Sequence, residues 1–408
     1  MNGLERCGSR PAPAPRTHDF VNTPTVNESL DRIEQTTTGE KLQPTESADS
    51  DFVESHCGEL LARYEKQARE PRLSWTTHLR LLRKLGEGGQ GIVYLAERPG
   101  ADNFTLPVAL KFFSPERYKT PEDYDTDMIR IGNVASAVAR IQHDNLLLVQ
   151  NYLDRERIRV MIMEWVEGFD LRRLLTPRMY NLMQERFSQK RWQQLNQVLV
   201  TAGPEQPRFK PGLAVAVVRN CLNALGALHR HGIVHADIKP ANIMLKASGQ
   251  AKIIDIGSAF QLHDPPKRRS ITPAYASVEV LHGEDTTPLS DLASLGYVLV
   301  ELLSGQSLFS AEQDAGKLLY AKREIYDLLP ELLPEEVVRN ELLMSFIHGL
   351  VAPRPEDRFQ SAEAAVVVED GAAAFHRQLV KGDLASEYEN DIRVWIEELL
   401  ELEVKGQL

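Results

Sequence analysis

The chain has 408 residues, enough for two or three ordinary domains or one large bilobal one. Hydrophobic residues make up 42% and charged residues 26%, the balance of a globular protein, and the formal net charge is -11. An acidic chain with no basic stripe among its aromatics has no field to draw it to nucleic acid or anionic lipid, so neither is expected as a partner.

Cys7, Cys57 and Cys221 lie far apart, with no pairing or metal-ligand spacing, which fits a reducing compartment. The N-terminus lacks the charged start and apolar run of a secretory signal. Apolar runs such as 292–303 are shorter than the roughly 20 residues a bilayer demands. A cytoplasmic protein is expected.

In chain order, residues 1–57 are rich in Pro, Thr, Ser, Asn and Glu without apolar period, and are predicted to be a disordered tail. Residues 58–78 form a helix, stopped by Pro71, and a lead-in segment. Strands follow over 79–85, 91–98, 108–113, 146–153 and 158–165, with a helix over 121–142 between the third and fourth. Beyond Gly168 the pattern turns helical, as at 213–231, 290–304 and 335–349. Sheet first and helices afterwards predicts an α+β, bilobal fold: a small β-rich lobe over 79–165 and a larger helical lobe over 166–376.

An insertion at about 176–211 is basic, with Arg178, Arg186, Lys190, Arg191, Arg208 and Lys210. It reads as a solvated loop and helix, or as a docking site for acidic regulatory partners. The segment 377–408 reads as an acidic amphipathic helical extension, with Ile392, Trp395, Ile396, Leu399 and Leu402 on one face. That face either packs on its own lobe or meets a partner helix.

The chemistry-bearing motifs start with Gly86-Glu87-Gly88-Gly89-Gln90-Gly91, a G-x-G-x-x-G in which bare backbone can approach phosphates. Alone it also suits a dinucleotide-binding turn or a surface loop. The β-branched run after it argues for a loop between two strands, since the dinucleotide turn leads into a helix. Val108-Ala109-Leu110-Lys111 follows as a strand ending in a lysine, a point charge able to meet phosphates. A lone strand lysine is usually just solvated, so its weight comes from its neighbours.

The most specific signal is His235-Ala236-Asp237-Ile238-Lys239-Pro240-Ala241-Asn242, a carboxylate five residues before an amide. It suits hydroxyl activation and metal binding around one phosphate chain. Ile254-Asp255-Ile256-Gly257 comes next, an Asp-x-Gly turn that can present a carboxylate to magnesium.

In this order and spacing, the motifs resemble those of the eukaryotic-like (Hanks-type) serine/threonine protein kinases, over roughly 79–374. The resemblance implies ATP and Mg2+ as cofactors and protein Ser/Thr hydroxyls as acceptors. It also implies roles. Gly86, Gly88 and Gly91 would cover the nucleotide, and Lys111 would hold its phosphates. Asp237 matches the catalytic base, Lys239 the γ-phosphate lysine, and Asn242 and Asp255 the magnesium ligands. Met163 stands at the gatekeeper position, Glu164-Trp165-Val166 at the adenine-reading hinge, and Asp170 at the ribose position. Val93, Ala109 and Met244 would sandwich adenine, although such apolar residues are ordinarily plain core. Thr272-Pro273-Ala274-Tyr275 resembles the peptide-side segment, with Ser270 the expected autophosphorylation site beside Arg268 and Arg269. Glu279 and Arg358 would pair structurally, Asp291 would cap the catalytic loop, and His235 completes that loop.

Three positions depart from the family pattern. Ala236 replaces the loop arginine that receives a phosphorylated activation segment. Ile256 replaces the phenylalanine of Asp-Phe-Gly, and Gln90 the aromatic tip of the glycine loop. A further departure is an absence: the family's glutamate on the long N-lobe helix, partner of the strand lysine, falls at Asn133 or Val134. No acid lies between Met128 and Gln142. Asp127 would sit roughly 10 Å too far down the helix at about 1.5 Å per residue. Lys111 is therefore expected to be free, or held by Asp255 or another acid. A weakly active or inactive ATP-binding scaffold and a small-molecule kinase remain the alternatives, the peptide-side segment favouring protein substrates.

Overall fold

The β-branched, aromatic run after the glycines forms a strand with partners on both sides. The computed structural model describes residues 49–69, 72–74, 78–266, 271–309, 314–367, 371–375 and 385–406. Its N-terminal lobe contains α1 (Asp49–Arg69), β1 (Arg72–Ser74), β2 (His78–Gly88), β3 (Gly91–Pro99), β4 (Thr105–Phe113), α2 (Pro121–Val138), β5 (Val149–Arg155) and β6 (Ile158–Glu164). The strands make one antiparallel sheet in the order β1-β2-β3-β4-β6-β5. Alternate residues Val108, Leu110 and Phe112 of β4 are buried together with Ile158, Val160 and Ile162 of β6.

Helix α1 begins at Asp49, earlier than the sequence suggested, so its first residues fall within the stretch expected to be disordered. It packs Leu60, Tyr64 and Ala68 on the lobe, and Gln67 Nε2 donates to the Arg155 carbonyl at 2.9 Å.

The start of α2 follows from Thr120, whose hydroxyl accepts from the Asp123 amide at 3.1 Å, and from Pro121, whose missing N–H costs nothing in a first turn. The helix ends at Val138 rather than continuing to 142. Its buried face carries Tyr124, Met128, Ile131, Val134, Ala135 and Val138, all of them uncharged.

The larger lobe is built on the helices Pro211–Arg230, Pro288–Ser304 and Glu341–Val351. The first is the one described helix long and apolar enough to cross a membrane, and it is buried in this lobe instead. The helix expected over 335–349 is two: the first ends at Val338, and Asn340 caps the next by accepting from the Leu343 amide at 3.0 Å.

The basic insertion forms helices Pro177–Arg186 and Gln189–Val198 and a two-stranded ribbon, Val200–Thr201 with Arg208–Phe209. Helix Ala385–Val404 buries Ile392, Trp395, Ile396 and Leu399. Trp395 packs edge-on to Phe209 with centroids 6.1 Å apart, and its Nε1 lies 3.0 Å from Met183 Sδ. Arg191 pairs with Glu398 at 3.0 Å, and Arg173 with Glu403 at 2.9 Å. The final helix thus packs on its own lobe, and Arg191 is the basic residue of the insertion that it pairs. The helix also contacts strands Gly168–Asp170 and Ile243–Lys246, which pair with each other.

Candidate functional site

The glycine motif is the turn of the β2–β3 hairpin, as expected of a loop between strands. Gly86 faces Val93 and Gly88 faces Gly91, leaving Gly89 and Gln90 at the tip. Gly91 has φ +137, and a Cβ there would come 1.8 Å from the Phe112 carbonyl oxygen, so no other residue fits. A Cβ on Gly86 or Gly88 would meet nothing within 4 Å, leaving space beside the loop.

Register fixes the cross-strand neighbours of the apolar candidates. Val93 lies opposite Lys111, Ala109 opposite Met163, and Met244 opposite Asp170. The Glu164 carboxylate accepts from the Leu148 amide at 2.7 Å and from Lys252 Nζ at 2.5 Å. The Glu164 carboxylate is therefore already engaged, and Val166 is buried. Asp170 caps the short helix after it, accepting from the Arg173 amide at 2.9 Å, and burial raises its pKa.

Lys111 lies in β4, two residues before its end, with its side chain almost fully buried. Its Nζ donates to Asp255 Oδ1 at 2.8 Å, Asp255 Oδ2 at 2.9 Å and Gln90 Oε1 at 2.7 Å. Burial alone would raise the Asp255 pKa, but the Lys111 ammonium and the Gly257 amide outweigh it and hold this carboxyl below the usual range. No α2 carboxylate reaches the lysine. Asp127 is instead taken up by Arg117 at 3.0 Å, Arg130 at 2.8 Å and the Tyr118 hydroxyl at 2.5 Å, while Val134 is buried.

The catalytic-loop candidates converge on Asp237. Lys239 Nζ donates to its Oδ2 at 2.7 Å, and the Thr272 hydroxyl donates to Oδ1 at 2.7 Å. Asn242 Nδ2 donates to Asp237 Oδ2 at 3.0 Å and to its carbonyl at 2.8 Å. Lys239 also reaches Thr272 Oγ1 at 3.1 Å. Asp237 and Thr272 line a cavity of about 740 Å³ between α2, this loop and the segment after Asp255.

Asp291 fixes the loop from below: its carboxylate accepts from the amides of His235 and Ala236 at 2.8 Å each and meets His229 Nε2 at 2.9 Å. Those bonds hold Ala236 at φ 62, a left-handed conformation costing a residue with a Cβ about 1–2 kcal/mol. The fully buried His235 imidazole accepts from the Asp237 amide at 3.3 Å.

On the peptide side, Arg358 meets Glu279 through two bonds of 2.7 Å, both side chains buried. Ser270 lies outside the described residues. Two residues that the sequence did not single out hold the neighbouring segment. Lys322, fully buried, donates to the carbonyls of Ala274 and Ala276 at 2.7 Å each, and its Nζ sits 3.9 Å from the Tyr297 ring centroid. Burial lowers its pKa well below the ordinary lysine value. Glu301 accepts from the Tyr275 hydroxyl at 2.6 Å and from Gln206 of the insertion at 3.1 Å, and burial raises its pKa. Neither has a local signature, because their partners lie on distant segments.

Residues 79–367 match the family model described as protein kinase domain. The chain belongs to this family. The kinase domain is similar to the serine/threonine-protein kinase PknB of Mycobacterium tuberculosis, 28% identical over 288 residues, covering 68% of this chain and 40% of that protein. It is also similar to a probable serine/threonine-protein kinase PknB of Lactococcus lactis, at 27% over 262 residues, covering 63% and 36% respectively. A third relative is the probable serine/threonine-protein kinase SCO3848 of Streptomyces coelicolor, 29% identical over 295 residues, with coverage of 68% and 37%. The chain spans well under half the length of these curated relatives.

Proposed function

We propose that the chain is a cytoplasmic serine/threonine protein kinase that transfers the γ-phosphoryl group of ATP, with Mg2+, to hydroxyls of protein substrates. The observation that carries this reading is an alcohol already seated on Asp237: the Thr272 hydroxyl donates to Oδ1 while Lys239 and Asn242 secure Oδ2. A substrate serine or threonine hydroxyl bonded to Oδ1 in the same way would be oriented for attack. As its oxygen bonds to the γ-phosphorus and the bond to ADP breaks, its proton passes to the Asp237 carboxylate. Lys239, whose ammonium already bridges Asp237 and Thr272, would stabilise charge on the transferred group.

The residues present fit the metal. Asn242 spends its amide N–H on Asp237, which leaves its carbonyl oxygen as a ligand, and Asp255 is ionised and already faces a cation, Lys111. One or two protein oxygens with the remainder from phosphates and water is the usual magnesium arrangement. When bound, magnesium would neutralise charge on the phosphates. The hairpin glycines would cover the phosphates, and Val93, Ala109 and Met244 the adenine. Cytoplasmic placement rests on the separated cysteines.

One observation favours a second reading, an ATP-binding scaffold without turnover: Lys111 has no α2 carboxylate and is held by Asp255 and Gln90. Incubation with γ-labelled ATP and magnesium, followed by acid hydrolysis of the labelled protein, separates the two. The kinase reading expects labelled phosphoserine or phosphothreonine. Nucleotide binding with no labelled amino acid supports the scaffold.

A further inference from the structure

Lys111 lacks the helix carboxylate, yet its ammonium is not loosely placed. Two of its contacts go to Asp255, the residue proposed to turn toward magnesium, which leaves one protein acceptor independent of the metal. That acceptor is Gln90 Oε1, at 2.7 Å. The amide is itself fixed at its other end: Gln90 Nε2 donates to Ser258 Oγ at 2.9 Å, and the Gln90 carbonyl accepts from the Ser114 amide at 3.0 Å. The side chain therefore reaches from the glycine tip to the residue just after Asp-x-Gly.

Space for it depends on Gly257, where a Cβ would fall 2.0 Å from Gln90 Oε1 and 2.7 Å from Lys111 Nζ. On the α2 side, the two positions where the carboxylate would fall are Asn133, which is exposed, and Val134, which is buried. A neutral amide is cheaper than a carboxylate to hold in this half-buried site, and it still accepts from the ammonium.

We propose that Gln90 is a positioning residue for phosphoryl transfer, orienting Lys111 toward the nucleotide phosphates in place of the absent helix carboxylate and tying the glycine loop to Ser258. The inference rests on the kinase reading above. An amide bonded to a charged group contributes enough that its loss should lower kcat/KM for ATP about tenfold or more.

The test uses the full chain with Gln90→Ala, Gln90→Glu, Ser258→Ala and the Gln90→Ala/Ser258→Ala double variant. Nucleotide affinity is read by titration with a fluorescent ATP analogue, and turnover by transfer from labelled ATP. Gln90→Ala should lose nucleotide affinity and turnover, with its melting midpoint near wild type because the residue sits on a loop tip. Gln90→Glu, which keeps an acceptor for Lys111, should recover more than half of the loss. The double variant should be no worse than Gln90→Ala, because both changes break one chain of bonds.

Unchanged kinetics in Gln90→Ala overturn the proposal. So does tighter nucleotide binding with turnover retained, which would make Gln90 a lid that ATP displaces. If the wild type transfers no phosphate, the kinase reading fails, and the affinity titration still reports whether Gln90 orders Lys111.

Discussion

Replacing Lys322 by methionine separates the proposed support of the peptide-side segment from ordinary core packing. Lys322 is fully buried, has no carboxylate hydrogen-bond partner among the described residues, and holds the Ala274 and Ala276 carbonyls at 2.7 Å each. Methionine has similar length and no donor, so both carbonyls lose their bonds, at about 1–3 kcal/mol each. Against this, a buried cation carries a desolvation penalty of several kcal/mol, which the substitution removes. The two contributions nearly cancel, so the melting midpoint should move little while the Ala274–Ala276 backbone loosens.

The KM for a peptide substrate should then rise about tenfold, equivalent to about 1.4 kcal/mol, with the KM for ATP unchanged. pH gives an independent reading. The folded-state pKa of Lys322 lies well below the ordinary lysine value. Between the folded and unfolded values the unfolded chain binds more protons, so stability from this residue rises as pH rises through that window. Wild type should gain midpoint relative to Lys322→Met as pH is raised toward 10. A flat difference, or equal losses in both KM values, would refute the reasoning.

Arg358→Met should destabilise the fold by about 3–5 kcal/mol, because it leaves the Glu279 carboxylate buried and unpaired; chemical denaturation would read this as a lowered midpoint with unchanged slope. Trp395→Ala should cost about 3–5 kcal/mol in the region around the insertion, detectable as faster amide exchange in 177–209 and 385–404 with the β3–β4 amides unaffected. Equal acceleration across both lobes would contradict that confinement.

The parts of this site that read from sequence are those whose chemistry sits on one short segment. Asp237, Lys239 and Asn242 lie within a single turn and its approach, and their mutual bonds span two to five residues. Hairpin geometry was legible for the same reason, since the glycines and the β-branched run after them are adjacent. The missing helix carboxylate could be seen as a gap, and Asp255 was named among the acids that might fill it. Gln90 was not, because its bonds to Lys111 and Ser258 close loops of 21 and 168 residues and leave no local pattern. Lys322 reads as an ordinary charged residue in a helix ending Ala-Lys-Arg, and its burial comes from distant segments, among them the rings of Tyr297 and Phe309 and the 274–276 backbone. The pairing of the basic insertion with the acidic final helix left no local pattern, since neither sequence names the other across some 200 positions, as in the Arg191–Glu398 pair.

Asp237→Asn tests the central claim most directly, by comparing phosphoryl transfer from γ-labelled ATP with nucleotide affinity in the same preparation. Asparagine can keep the bonds to Lys239 and Thr272 but cannot take up a proton. The account predicts that transfer falls at least about a hundredfold, the scale of general-base catalysis, while ATP affinity stays within a few-fold of wild type. Ordinary turnover in the variant would contradict the role given to Asp237 and the mechanism built on it.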